Sequence, residues 1–192
     1  IINVSKSFNK GTPIQKNALI GLNLHLDKGD FVTVIGGNGA GKSTMLNAVA
    51  GVFNIDKGKI KIDGVDVTKT PEYKRAKYIG RVFQDPLKGT AGDMWIEENL
   101  AFALRRGKTR SFKWGISNKE REMFKDLLAP LDLGLEQRLS AKVKLLSGGQ
   151  RQALTLLMAT IKEPKLLLLD EHTAALDPKT AKKVLDLTDE II

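Results

Sequence analysis

Residues Gly36, Gly37, Asn38, Gly39, Ala40, Gly41, Lys42, Ser43 and Thr44 read GGNGAGKST. Gly36, four further residues and then Gly41-Lys42-Ser43 is a spacing that holds phosphate. Glycines let the backbone fold around an anion with its N–H groups turned inward. A helix starting near Lys42 adds the positive end of its dipole. Lys42 can bridge the β- and γ-phosphates, and the Ser43 hydroxyl can ligate Mg2+. A second stretch, LLLLDEH, ends an apolar run in Asp170 and Glu171 with His172 directly after. A buried strand ending in Asp170 delivers a carboxylate to the sheet edge where ligands collect, so Asp170 can hold Mg2+. Glu171 then stands where a water can be polarised against the γ-phosphate. His172 either joins that chemistry or only stands beside it. A third stretch, LSGGQRQ, sets Ser147, Gly148 and Gly149 at a helix start, a second anion-binding surface.

The flanking patterns predict what positions these residues. The segment at 18–37 alternates apolar and polar at Leu22, Leu24 and Leu26, turns at Lys28-Gly29-Asp30 and enters an apolar run from Phe31 to Ile35. It reads as a half-buried strand, a turn and a more buried strand. Helical spacing of Met45, Leu46, Val49 and Ala50 follows, which puts the glycines between a strand and a helix. Asp63-Gly64 reads as a hairpin turn, and residues 78–83 as a short strand. From about Asp93 to Leu139 the spacing is helical, and Ser147 caps another helix. The run 165–170 fits a parallel strand buried on both faces. The sum is an α/β layered core with a helical insertion.

The 192 residues favour one domain. Hydrophobic residues make up 42%, enough for a core, and no cysteine is present, which removes disulfides, thiolate metal sites and a cysteine nucleophile. The formal net charge of +9 suits an anionic partner: nucleotide, nucleic acid or membrane surface. No apolar run approaches the ~20 residues that span a bilayer. The chain starts without Met and stops within an amphipathic pattern, DLTDEII, and it reads as part of something longer.

The phosphate loop, VFQD around Gln84, LSGGQ, LLLLDE and AALD occur in the order found in the ATP-binding cassette (ABC) family. The resemblance covers nearly the whole chain and is most specific at LSGGQ. It implies an α/β fold: a P-loop NTPase core with a parallel sheet, an antiparallel β subdomain and an inserted α-helical subdomain. Residues 1–192 would form a single nucleotide-binding domain, incomplete at its C-terminus. Residues 1–87 and 160–192 would form the β subdomain and core, and 88–159 the helical subdomain with the signature. The cofactors implied are ATP and Mg2+.

Carried over residue by residue, the resemblance makes Ser43, Gln84 and Asp170 the Mg2+ ligands, and Glu171, Gln84 and Lys42 the catalytic residues. Gln84 would also meet the attacking water and report nucleotide state. Ser147, Gly148, Gly149 and Gln150 would touch the γ-phosphate held by a second copy, with Asp177 at the dimer seam. Ala174 stands where the family often has Ser, which puts one interface hydrogen bond in question. Phe8 matches the aromatic residue that stacks on adenine, and its other reading is strand core. His172 stands where the family usually has Pro. The family's catalytic histidine follows a further strand, so that residue is expected beyond Ile192 and the fragment is expected to hydrolyse ATP poorly.

The partners implied are a second nucleotide-binding domain, as a homodimer or with a close relative, an integral membrane permease and a solute-binding protein. The place implied is the cytoplasmic face of the cell membrane. A transporter motor of a bacterial importer for small organic solutes competes with a soluble ATPase acting on nucleic acid or the ribosome. The segment around Trp95 resembles the family's transporter-facing segment, and Trp95 reads either as packing or as part of a permease groove. The basic cluster of Arg105, Arg106, Lys108, Arg110 and Lys113 reads first as a solvated loop, then as a lipid or permease contact. Nucleic acid comes last, because Phe112 alone makes a poor stacking platform.

Overall fold

The chain folds into two units, Ile1–Tyr78 and a second beginning at Ile79. The computed structural model describes residues 1–108 and 115–170.

In the first unit, β1 (Ile2–Phe8) lies between β2 (Lys16–Leu22) and, after α1 (Lys42–Ala50), β3 (Lys57–Lys59), antiparallel to both. The short strands β4 (Lys61–Ile62) and β5 (Val65–Asp66) form a hairpin over Asp63-Gly64, both at positive φ (50° and 75°), as a tight two-residue turn requires. The four-residue helix α2 (Glu72–Arg75) closes the unit. Val4, Ile60 and Val67, each 1% exposed, are buried with Met45, Ala48 and Val49 from α1. The helix that follows the glycines is therefore seated by its apolar face.

Two expectations shift here. The alternating strand lies at 16–22 rather than over Leu22 to Leu26, because the β1–β2 hairpin closes earlier. Ile1 and Leu24 still exchange backbone hydrogen bonds beyond its end, at 2.8 and 3.1 Å. The apolar run from Phe31 to Ile35 is not a strand, and Phe31, Val32, Val34 and Ile35 are exposed, Ile35 by 90%. An apolar run becomes a strand only where a neighbour supplies a ladder, and among the described residues this run has none.

In the second unit, β6 (Ile79–Val82) leads to helices α3 (Ile96–Leu104), α4 (Asn118–Leu128) and α5 (Gly148–Thr160), and then to β7 (Leu166–Leu169). The strands β6 and β7 pair in parallel, from Ile79 opposite Leu166 to Val82 opposite Leu169. Only Leu168 of β7 is buried and the other three leucines are half-buried, so among the described residues this strand is less enclosed than its unbroken apolar run predicts. A Cβ at Gly80 would lie 2.5 Å from the Ala159 carbonyl oxygen, so α5 rides directly on the backbone of β6. The core is Leu100, Phe124, Leu128, Leu135 and Leu154, all fully buried, with Ile96 and Val143. Arg121 donates two hydrogen bonds to the buried Glu97 carboxylate, 2.7 and 3.3 Å, and ties α4 to α3.

Candidate functional site

Glycine at 41 is dictated locally. Its φ of 95° is strained for other residues, and a Cβ there would stand 2.6 Å from the Ala18 carbonyl oxygen of β2. The loop is thus pressed against β2 immediately before α1 begins. Met45 donates the first intrahelical bond, to the Gly41 carbonyl (2.8 Å), so the N–H groups of Lys42, Ser43 and Thr44 precede the helical ladder. Ala40 donates to the Gly37 carbonyl (3.2 Å) and tightens the loop. The Lys42 ammonium folds back over it and donates to the Gly36 and Gly37 carbonyls, 2.6 and 3.2 Å. Residues 36–40 and Ser43 are exposed. Glycine backbone, helix N-terminus, ammonium and hydroxyl are therefore gathered on one open surface, an arrangement suited to a polyphosphate.

Phe8 ends β1 and is half-buried. Its ring meets Phe53 edge-to-face, with centroids 5.3 Å apart and planes at 84°, and the Lys6 ammonium lies 5.3 Å from its centroid. It is neither simple strand core nor fully free. Its β2 partner is Lys16, whose ammonium lies 3.5 Å from where a Gly39 Cβ would be. The strand end carrying Phe8 therefore reaches the phosphate loop. Lys16 is a basic neighbour of the loop that sequence reading passes over, since one lysine at a strand end carries no motif.

Gln84 and Asp170 leave the same end of the parallel pair, just past β6 and β7. The Asp170 N–H donates to the Val82 carbonyl (3.1 Å) and extends the ladder by one residue. Ligands gather at the carboxyl ends of parallel strands, and this pair delivers a carboxylate and an amide there. Gln84 and Asp170 offer oxygen donors at this strand end, and the Ser43 hydroxyl offers one beside the phosphate loop. Oxygen donors suit Mg2+, which keeps few protein ligands and completes its octahedron with phosphate and water. Glu171, His172, Ala174 and Asp177 lie outside the described residues, as do Arg110, Phe112 and Lys113.

Ser147 caps α5 in a reciprocal box: the Gln150 N–H donates to Ser147 Oγ (3.2 Å), and the Ser147 N–H donates to Gln150 Oε1 (3.1 Å). Gln150 Nε2 also donates to the Leu133 carbonyl (3.2 Å), so its side chain is committed to holding the helix start. A Cβ on Gly148 would meet nothing within 4 Å, so packing inside the chain does not call for glycine there. Thr155 is the residue that meets Gly89, after Gln84, and about 10 Å of helix, at 1.5 Å per residue, separates it from Gly148. Gln84 and Asp170 follow neighbouring strand ends, whereas Ser147 to Gln150 belong to the start of α5.

Part of the basic cluster is structural. Arg105 donates to the Gly115 carbonyl (2.6 Å) and to Glu120 (3.1 Å). Arg106 donates to the Met158 and Ala159 carbonyls, 3.2 and 3.0 Å. Trp95 is 43% exposed at the start of α3, where its N–H donates to Glu98 (2.7 Å). Among the described residues no helix is long and apolar enough to cross a membrane.

A glycine loop opening a helix, a carboxylate ending a parallel strand and a capped Ser-Gly-Gly helix start define an ATP-binding cassette ATPase. The profile of the ABC transporter family matches residues 19–174, and the chain belongs to that family. It is 44% identical over its full length to a tyrosine transport ATP-binding protein of Clostridioides difficile, spanning 76% of that protein. It is 37% identical over 94% of its length to a spermidine/putrescine import ATP-binding protein of Haemophilus influenzae, of which it spans 44%. A phosphonates import ATP-binding protein of Lactococcus lactis is 35% identical over 96% of the chain. Among solved structures, a dimeric cassette in a post-hydrolysis state with ADP and Pi superposes with a TM-score of 0.82 at 28% identity. That match covers 98% of this chain and 80% of the other.

Proposed function

We propose that this chain is the ATP-hydrolysing subunit of an ABC importer for a small organic solute, acting as an ATP-bound dimer on the cytoplasmic face of a membrane permease. The observation that carries this reading is the phosphate loop, with its exposed glycines, uncommitted helix N–H groups and Lys42 on one surface. The relatives in tyrosine, spermidine/putrescine and phosphonate systems support the import of small solutes. The dimeric neighbour supports pairing of two cassettes.

In this reading residues 36–44 bind the β- and γ-phosphates, and Phe8 stacks on the adenine. Ser43, Gln84 and Asp170 would hold Mg2+, which when bound neutralises charge developing on the phosphates. Glu171 orients or deprotonates the attacking water, and the chain contributes position and charge rather than a covalent intermediate. Ser147, Gly148 and Gly149 face the γ-phosphate on the second copy. The open space around Gly148 supports this. Gln150 departs from its carried-over role as a phosphate contact, because its side chain is bound to Ser147 and Leu133. Action on nucleic acid is the weaker alternative, because Arg105 and Arg106 are engaged within the chain.

The test uses a protein extended to the length of the Clostridioides relative. Lys42→Ala should abolish ATP binding. Glu171→Gln should bind Mg-ATP and accumulate as a dimer on size-exclusion chromatography, with turnover reduced by roughly a hundredfold or more, as for loss of a catalytic base. A Glu171→Gln variant that stays monomeric with ATP overturns the dimer mechanism.

A further inference from the structure

The first and fifth helices both start in glycines that the proposed function sets against phosphate. Each also ends on an arginine supplied by another part of its own unit. Arg75 is 1% exposed. Its guanidinium donates to four backbone carbonyls: Ala48 and Val49 in the last turn of α1, both at 2.8 Å, Thr70 at 2.7 Å and Thr68 at 3.1 Å. Gly51, directly after α1, makes the room, since a Cβ there would stand 2.7 Å from Arg75 Nε. Arg106 donates to the Met158 and Ala159 carbonyls in the last turn of α5. Burial pushes both guanidinium pKa values below their ordinary level. Neither arginine is paired with a carboxylate among the described residues.

A buried cation without a counter-ion is costly, and a helix end can be closed more cheaply. The first helix already has such a closure, because the Gly51 N–H donates to the Asn47 and Ala48 carbonyls. The second common feature is that both helices offer their opposite ends to an anion. In a nine-residue helix, about 14 Å long, the negative end of the dipole opposes the anion attracted to the positive end. A full positive charge on the last carbonyls reverses that opposition.

We propose that Arg75 and Arg106 are positioning residues for ATP: each fixes its glycine-started helix and neutralises the helix's negative end, so that the far end holds phosphate more tightly. At that range, with an effective dielectric of about 20 and at the low ionic strength where screening is weak, one unit charge acting on one phosphate charge corresponds to roughly five- to tenfold in affinity, so the comparison is made at low salt. This rests on the ATP-binding reading above.

The test is Mg-ATP affinity of the extended protein carrying Arg75→Gln or Arg75→Lys, with nucleotide-free melting measured alongside. Both variants lose the four-bond geometry and should melt earlier. Only Arg75→Gln loses the charge, so its Kd should rise about five- to tenfold while Arg75→Lys stays within about threefold of wild type. Earlier melting with unchanged Kd in Arg75→Gln, or equal weakening in both, overturns the proposal. If Arg75→Gln does not fold, Arg106→Gln and Arg106→Lys in the Glu171→Gln background carry the same comparison. There Gln should raise the ATP concentration needed for dimerisation several-fold and Lys should not, with Kd of the monomer unchanged. Equal ATP requirements in the two overturn it. A wild-type chain that binds no Mg-ATP, or binds it equally after Lys42→Ala, removes the nucleotide reading as well and is distinct from either result.

Discussion

Gly148 separates what the chain needs in order to fold from what it needs in order to act. Nothing lies within 4 Å of a Cβ built there, and φ is not in the left-handed region. Gly148→Ala should therefore leave stability unchanged or raise it, by about 0.4–1 kcal/mol through the unfolded chain. In the Glu171→Gln background the same change should weaken ATP-driven dimerisation at least about tenfold, roughly 1.4 kcal/mol. Chemical denaturation and size-exclusion chromatography measure the two separately. A stable variant that dimerises like its parent would mean that no second molecule approaches at this glycine. At this scale the phosphate loop was legible in sequence, because spacing and residue type dictate it without tertiary help. Arg75 was not. In YKRAKY it looks like any solvated cation beside Lys74 and Lys77, and only packing distinguishes it. Gln150 was half legible: its place in the motif could be read, but its commitment to the Leu133 carbonyl could not.

Helix α4 shows how an element's boundary becomes a titration. The Ser117 N–H donates to the Glu120 carboxylate (2.8 Å), the Glu120 N–H donates to Ser117 Oγ (3.2 Å), and Arg105 reaches the same carboxylate. The backbone bond from Ser117, together with its hydroxyl and Arg105, holds Glu120 below its ordinary 4.5, against a smaller upward push from burial. A depressed carboxylate stabilises the fold above its unfolded value and ceases to do so as pH falls through the folded one. Glu120→Gln should therefore melt earlier than wild type at pH 7, and the gap should close as the pH is taken well below 4.5. A gap independent of pH would assign the effect to the neutral cap alone. The helices were legible as elements from their apolar spacing, and in α5 the cap at Ser147 agrees with it. The Phe31–Ile35 run was misread because its apolar pattern states a capacity for pairing, and pairing depends on which neighbour is present.

At the scale of the molecule the chain belongs to one family and carries two glycine-bearing helix starts, one in each unit. The β6–β7 pair joins segments about 80 residues apart, with α3, α4 and α5 between them. The strand is therefore early in order of synthesis and late in acquiring its partner. At 5–20 residues per second, β6 waits about 4–16 s after leaving the ribosome before β7 follows. Throughout that interval Ile79 and Val82 have an unpaired strand edge, a template for the wrong neighbour. Ribosome-bound chains stalled before residue 166 should be cut by protease near β6, and chains stalled after β7 has emerged should resist. Equal cleavage at both stall points would mean that the helices alone shelter the strand. A cell making this protein thus has a period of seconds, set by residue order and the rate of translation, in which a holding chaperone would protect the yield.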